Sequence, residues 1–218
     1  MSRYETEEEQ IEAFKKWWNQ NGTQLLSAVL VVVIAFGGWR WWQNNQYVTA
    51  ANASMSFDLL QKAANEGEFA EVSREALTLM QEQPDSPYAW AAALLHATYK
   101  YRSGDVDEAI NNLNWVTEKS TDKAIQVTAH LRLARVYLEQ EKYTDADAQL
   151  KTINSKNLNP SEQGNADYVA AMLALVQEDK VQAHKLFTKV VDNPQTEKNL
   201  SSLAQMQLND LADVEVKQ

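Results

Sequence analysis

His96, His130 and His184 have the widest chemical range of any side chains in this sequence, and each stands alone. None sits in the His-x-x-x-His or Glu-x-x-His spacing that places two metal ligands on one helical face. They read as ordinary surface or half-buried helix positions. There is no Cys, which removes thiolate metal sites, cysteine nucleophiles, disulfide frameworks and a lipidated N-terminal Cys together. Asp145/Asp147 and Glu178/Asp179 fall at predicted solvated helix starts, where a carboxylate complements the helix dipole. No Gly-rich loop offers a phosphate cradle, and Gly37-Gly38 does not form Gly-x-x-x-Gly. No nucleophile–base pair is visible. The sequence thus points to no catalytic residue, no metal and no cofactor, and the expected chemistry is that of binding.

The charge balance narrows the partners. Among 218 residues, 20 are Lys or Arg and 30 are Asp or Glu, a formal charge of −10. A nucleic-acid surface needs a basic stripe to neutralise phosphates, so no nucleic-acid partner is expected.

One segment departs from this polar average. Between Lys16 and Arg40 no residue is charged, and Leu25–Phe36 is almost wholly apolar and largely β-branched. Thr23–Trp42 is 20 residues, which as a helix reaches roughly 30 Å, the hydrocarbon thickness of a bilayer. Trp17 and Trp18 flank one side; Trp39, Trp41 and Trp42 flank the other, as interfacial anchors do. Arg40 can snorkel its charge to the headgroups. A cleaved signal peptide needs a short basic start, but here the preceding segment carries Glu5, Glu7, Glu8, Glu9 and Glu12. The small-residue site Ala35-Phe36-Gly37 lies inside the apolar run, and Ala51-Asn52-Ala53 lies too far beyond it. An uncleaved signal-anchor is expected. Arg3, Lys15 and Lys16 precede it, while after Arg40 the next basic residue is Lys62, which favours a cytoplasmic N-terminus. Residues 47–218 carry 16 basic and 25 acidic side chains, so that part should stand off an anionic lipid surface.

The remainder is a repeat. Gly104-Asp105-Val106-Asp107-Glu108-Ala109 resembles the turn and second helix of a tetratricopeptide hairpin, and Glu141–Ala146 and Glu178–Ala183 repeat it. Ala109, Ala146 and Ala183 are 37 residues apart, and one further step back reaches Val72. A small residue in the second helix lets the two helices of a hairpin approach. Four residues on, Leu113, Leu150 and Phe187 share that face and fill the core. Gly67 and Gly104 can end the first helix in the left-handed conformation; Glu141 and Glu178 take that place in later copies, which leaves room for a different turn there. In the first helix, Leu133, Ala134 and Tyr137 fit the large, small and aromatic positions, with Leu59 and Ala97 as single matches in earlier copies. Pro84, Pro87, Pro160 and Pro194 all fall between hairpins. Leu200–Leu211 has one apolar stripe and reads as a capping helix. The usual repeat has about 34 residues, so a period of 37 implies longer junctions.

The expected fold is therefore all-α: a cytoplasmic segment 1–22, a transmembrane helix 23–42, and a tetratricopeptide-like solenoid of about four hairpins plus a cap over 43–218. Such a stack exposes a concave groove lined mainly by first helices. Counting from the aligned positions places Leu94, Thr98, Tyr101, Arg102, Leu131, Arg135, Leu138, Tyr168, Met172 and Leu175 on it. An offset of one residue turns a side chain by about 100°, so packing against a neighbouring repeat is the competing expectation for each. The aromatic and Met content suits adaptable contact with extended or helical peptide segments.

At the level of family, the run Tyr4–Gly22 followed by an anchor ending Gly38-Trp39-Arg40-Trp41-Trp42 is similar to the YfgM-type ancillary subunits of the SecYEG translocon. Leu131–Val136 and Met206–Leu211 also resemble that family. The resemblance implies a single-pass protein of the bacterial inner membrane with a periplasmic repeat domain and no enzymatic activity. It implies partnership with the SecYEG translocon, with a membrane-anchored periplasmic chaperone of the PpiD type and with translocating client polypeptides. It also links the cytoplasmic segment to negative control of an envelope-stress response regulator. The rival reading is a membrane-tethered scaffold for cell-wall or division complexes.

Overall fold

The computed structural model describes residues 7–154 and 158–215. Arg3, which entered the orientation argument, and Tyr4–Thr6 lie outside them. Among the described residues every regular element is an α-helix: α1 Glu7–Glu66, α2 Phe69–Glu82, α3 Pro87–Arg102, α4 Val106–Lys119, α5 Lys123–Glu139, α6 Tyr143–Asn154, α7 Pro160–Val176, α8 Lys180–Asp192 and α9 Lys198–Glu215. The chain divides into two compact units, Met1–Asn52 and Ala53–Gln218.

The described part of the first unit is the N-terminal stretch of α1. It is long and apolar enough to cross a membrane, and only 6% of its most apolar 18-residue window is buried. That low burial separates it from the core helix of a soluble protein, which hides its apolar side chains against other elements. Leu26, Leu30, Val31, Val32, Val33, Ile34 and Phe36 are all exposed around the helix. Trp18 and Trp39 are 21 residues apart, about 31 Å along the axis, which matches the hydrocarbon thickness.

The second unit is built from hairpins: residues 53–66 of α1 with α2, then α3–α4, α5–α6 and α7–α8, closed by α9. Ala109, Ala146 and Ala183 are each fully buried where the second helix meets the first. One turn on, Leu113, Leu150 and Phe187 fill the cores, none more than 5% exposed. The first hairpin exchanges the sizes. Val72 and Ala76 take the small and large positions of α2, and Leu60 of α1 supplies the missing bulk beside Ala76 and Leu79. The bulk thus moves from the second helix to the first, as close packing of one small and one large side chain at the contact requires. Aligned by the 37-residue period, Leu59 is the counterpart of Leu133, yet it is 51% exposed while Leu60 is fully buried. The reason is positional. Leu133 packs against the preceding hairpin through Ala93, Ala97, Leu113 and Val116, and Leu59 belongs to the first hairpin of the unit.

All four intra-hairpin turns are alike, including those without Gly. Gly67, Gly104, Glu141 and Glu178 have φ of 77°, 86°, 59° and 63°. In each, the following N–H reaches back five residues to a helical carbonyl: Glu68 to Ala63, Asp105 to Lys100, Lys142 to Tyr137 and Asp179 to Ala174, at 2.8–2.9 Å. This is the Schellman closure of a helix C-terminus. The two glutamates thus keep the same turn, held in a conformation that L-residues rarely adopt.

Helix starts follow side-chain chemistry. Asp105, Asp122 and Asp179 accept from the N–H groups of Glu108, Ile125 and Gln182. Asn159 and Glu162 form a reciprocal capping box at α7. Pro87 and Pro160 are first residues of α3 and α7, and Pro84 and Pro194 lie in the α2–α3 and α8–α9 links. The helix α9 covers the last hairpin with Ala204 and Leu211.

Candidate binding site

First helices of successive hairpins lie side by side, with α3 against α5, α5 against α7 and α7 against α9. Their shared face carries two clefts. The first, about 300 Å³, opens between α3 and α5 and is lined by Ala97, Thr98, Tyr101, Arg132, Arg135, Val136 and Glu139, with Ala109 and Leu113 of α4 behind them. The second, about 310 Å³, opens among α5, α7 and α9 and is lined by Arg135, Leu138, Glu139, Tyr168, Val169, Met172, Leu200 and Leu203. Arg135 and Glu139 line both, so the clefts adjoin along α5.

Of the side chains that the repeat count placed on this face, Thr98, Tyr101, Arg135, Leu138, Tyr168 and Met172 line a cleft. The other four sit elsewhere. Leu131 is 8% exposed in the core with Val127, Ala134 and Leu150. Leu94 packs half-buried beside the α3–α5 core, and only its carbonyl faces this region, accepting from Arg132 at 2.8 Å. Leu175 packs on the α7–α8–α9 core. Arg102, the exposed last residue of α3, lines neither cleft. The count missed Arg132, Val136 and Glu139, which with Arg135 follow the i, i+3, i+4, i+7 spacing of a single helical stripe. A count begun on Leu131 starts one residue, about 100°, off that stripe. Leu200 and Leu203 were missed because the cap was expected only to close the core.

The cleft walls are braced. Tyr168 packs edge-to-face on Phe187 with ring centroids 5.8 Å apart. Arg132 donates to Leu94 O and, at 3.0 Å, to Thr98 Oγ1, tying α5 to α3. Arg135 donates to Asn165 Oδ1 of α7 at 3.2 Å. Burial lowers the pKa of Arg132, with a further lowering from the neighbouring Arg135 charge. Burial also lowers that of Arg135, opposed by Tyr168 and Glu197. Arg135 keeps solvent access, so its desolvation is partial.

The histidines are not alike. His184 is exposed, and His130 is half-buried against Gln149 at 2.7 Å. His96 is 1% exposed, a correction to the surface or half-buried placement. It occupies the large position that Leu133 holds one repeat later. Asn112 Nδ2 is committed to Glu108 O, so its Oδ1 faces the ring and accepts from His96 Nδ1–H at 3.2 Å. Nε2 is then free to accept from Ser73 Oγ at 3.2 Å. A neutral imidazole is fully satisfied in this core, which makes it a packing residue. No group of three or more His, Asp or Glu among the described residues has metal-binding geometry. Asp179 and Asp147 act locally, the first as a cap and the second pairing with Lys151 at 2.6 Å.

Residues 15–213 match the tetratricopeptide repeat-like domain family. A Neisseria gonorrhoeae protein called an ancillary SecYEG translocon subunit is 30% identical over 157 residues, 70% of this chain and 73% of that one. The chain belongs to the tetratricopeptide repeat-like ancillary SecYEG translocon subunit family. Haemophilus influenzae has a family member of the same name, 28% identical over 94% of this chain and 97% of its own. The Escherichia coli member is 29% identical over 71% of this chain and 73% of its own. A crystal structure of a tetratricopeptide repeat protein from Parabacteroides merdae superposes with a TM-score of 0.58 over 74% of this chain and 60% of that one, at 17% identity, which speaks for the fold alone. Trp17, Trp18, Trp39, Trp41 and Trp42 are each at least 41% exposed on α1, and Arg40 is exposed among them.

Proposed function

We propose that this protein is a non-enzymatic ancillary subunit of the SecYEG translocon in the bacterial inner membrane. Residues 23–42 act as a signal-anchor, residues 1–22 lie in the cytoplasm, and the repeat unit stands in the periplasm. The paired clefts hold polypeptide: segments of newly translocated clients, or of a membrane-anchored chaperone of the PpiD type to which clients pass. The N-terminal segment serves negative control of an envelope-stress response regulator. The observation that carries the reading is the Haemophilus influenzae match, which runs through the apolar helix and the repeats together rather than through the repeats alone. Catalysis has no support in the site: the clefts are mostly apolar, and the buried His96 is held by neutral partners.

The test is purification of tagged full-length protein after mild detergent extraction. Recovery of SecY, SecE and SecG with it is expected. Recovery of wall synthases in their place would contradict the reading.

A further inference from the structure

Arg132 and Arg135 are one turn apart on α5, and both line the first cleft. No carboxylate among the described residues lies within ion-pairing distance of either guanidinium. Their hydrogen bonds go to neutral oxygens, two from Arg132 and one from Arg135, out of the five donors each side chain carries. Arg132 is half-buried and Arg135 exposed at the cleft mouth, so these two like charges repel one another with only a distant carboxylate, Glu197, offsetting Arg135. This cationic pair stands in a chain of formal charge −10. On either side of it, apart from Thr98 and Glu139, the lining is mainly apolar, with Tyr101 and Val136 in one cleft and Met172 and Leu203 in the other.

We propose that the groove selects polypeptide segments in which an acidic side chain lies between two apolar ones, the carboxylate seated at Arg132 and Arg135 and one apolar side chain entering each cleft. This rests on the reading of the clefts as a polypeptide-binding surface. The spacing follows from the fold. The clefts straddle α5, so they are separated by about one interhelical distance, roughly 9 Å. Extended chain puts side chains i, i+2 and i+4 on one face, the outer two about 13 Å apart along the backbone and able to lean in to the two cleft mouths. A segment passing through the groove places its acid opposite the guanidiniums, where planar, charge-assisted bonding is strongest. Glu139, one turn beyond Arg135 and lining both clefts, repels an acid placed too far along α5 and so fixes its position.

The experiment uses full-length protein in detergent micelles, with fluorescence anisotropy of labelled peptides measured against empty micelles. The peptides have blocked termini and a single Glu two residues from a Leu on either side, so that all three share one face of the extended chain; sister peptides carry Gln or Lys in place of Glu. The Glu peptide should bind about tenfold more tightly than the Gln peptide, with the Lys peptide weakest, and the preference should shrink as salt is raised. Arg135→Gln should erase the preference, and Glu139→Gln should enlarge it, an effect that a purely structural role for either residue would not produce. Equal binding of Glu and Gln peptides, lost in Met172→Ala, would overturn acidic selection while leaving the clefts as a polypeptide site. Absence of binding by every peptide would overturn both. Rescue of the Gln peptide by a free C-terminal carboxylate would overturn the side-chain assignment.

Discussion

His96 stands where the repeat pattern elsewhere uses Leu133, and that exchange makes the second hairpin sensitive to acid. Burial lowers its pKa below the ordinary His value, reinforced by Lys100 and opposed by Asn112, Glu108 and Asp105. Between the lowered folded pKa and the unfolded value near 6.5, the unfolded chain binds more protons, so stability falls as the pH falls through that window and is level above it. Melting temperatures of the full-length protein should drop on acidification below about pH 6.5, and His96→Leu should flatten that dependence. An unchanged slope in the variant would mean that His96 does not titrate on unfolding. The 37-residue period places His96 opposite Leu133, but its burial is not legible in the sequence, because the partners that make it tolerable, Ser73 and Asn112, are 23 and 16 residues away. Glu141 was readable in place but not in geometry: the sequence shows a missing Gly, while only the backbone shows φ of 59°. Glu141→Gly should therefore raise stability by up to about 1 kcal/mol, by relieving the left-handed strain net of the added chain entropy. A thermal melt with no change or a loss would indicate that Glu141 is not strained there.

At the scale of elements, the 37-residue period is what makes the fold legible, because each hairpin must bury the same face against the same neighbour. It locates the buried Ala109, Ala146 and Ala183, the prolines at junctions and the cap. It fails at the ends of the array. Leu59 obeys the period but has its large-position face exposed, and Leu200 and Leu203 lie outside the period yet complete a cleft wall. The groove was read in outline and blurred in detail for a related reason. Successive side chains on a helix point about 100° apart, so Leu131 and Arg132 go to opposite fates, core and cleft, from adjacent positions. Ala146 offers the cleanest test of the hairpin contact, being fully buried in α6. Ala146→Leu should destabilise the protein by roughly 1–3 kcal/mol through overpacking. A melting temperature equal to wild type would place Ala146 outside that contact.

For the whole molecule, the proposed function needs both an anchor in α1 and a polypeptide-holding repeat unit. The Trp-flanked apolar stretch of α1 was evident from composition alone, since length and hydropathy need no tertiary information. Sidedness rests on few basic residues, and a reporter settles it: alkaline phosphatase fused after Gln218 should be active, because it needs an oxidising compartment for its disulfides. An inactive fusion would reverse the orientation. Site-specific photo-crosslinking in intact membranes tests whether the paired clefts hold polypeptide beside the channel. Probes at Tyr101 in the first cleft and Met172 in the second should form adducts with translocating chains or with a membrane-anchored periplasmic chaperone. A probe at Val181, 81% exposed on α8 and outside both clefts, should form few. Adducts of equal yield at all three positions, or at Val181 alone, would mean that the clefts are not where polypeptide binds.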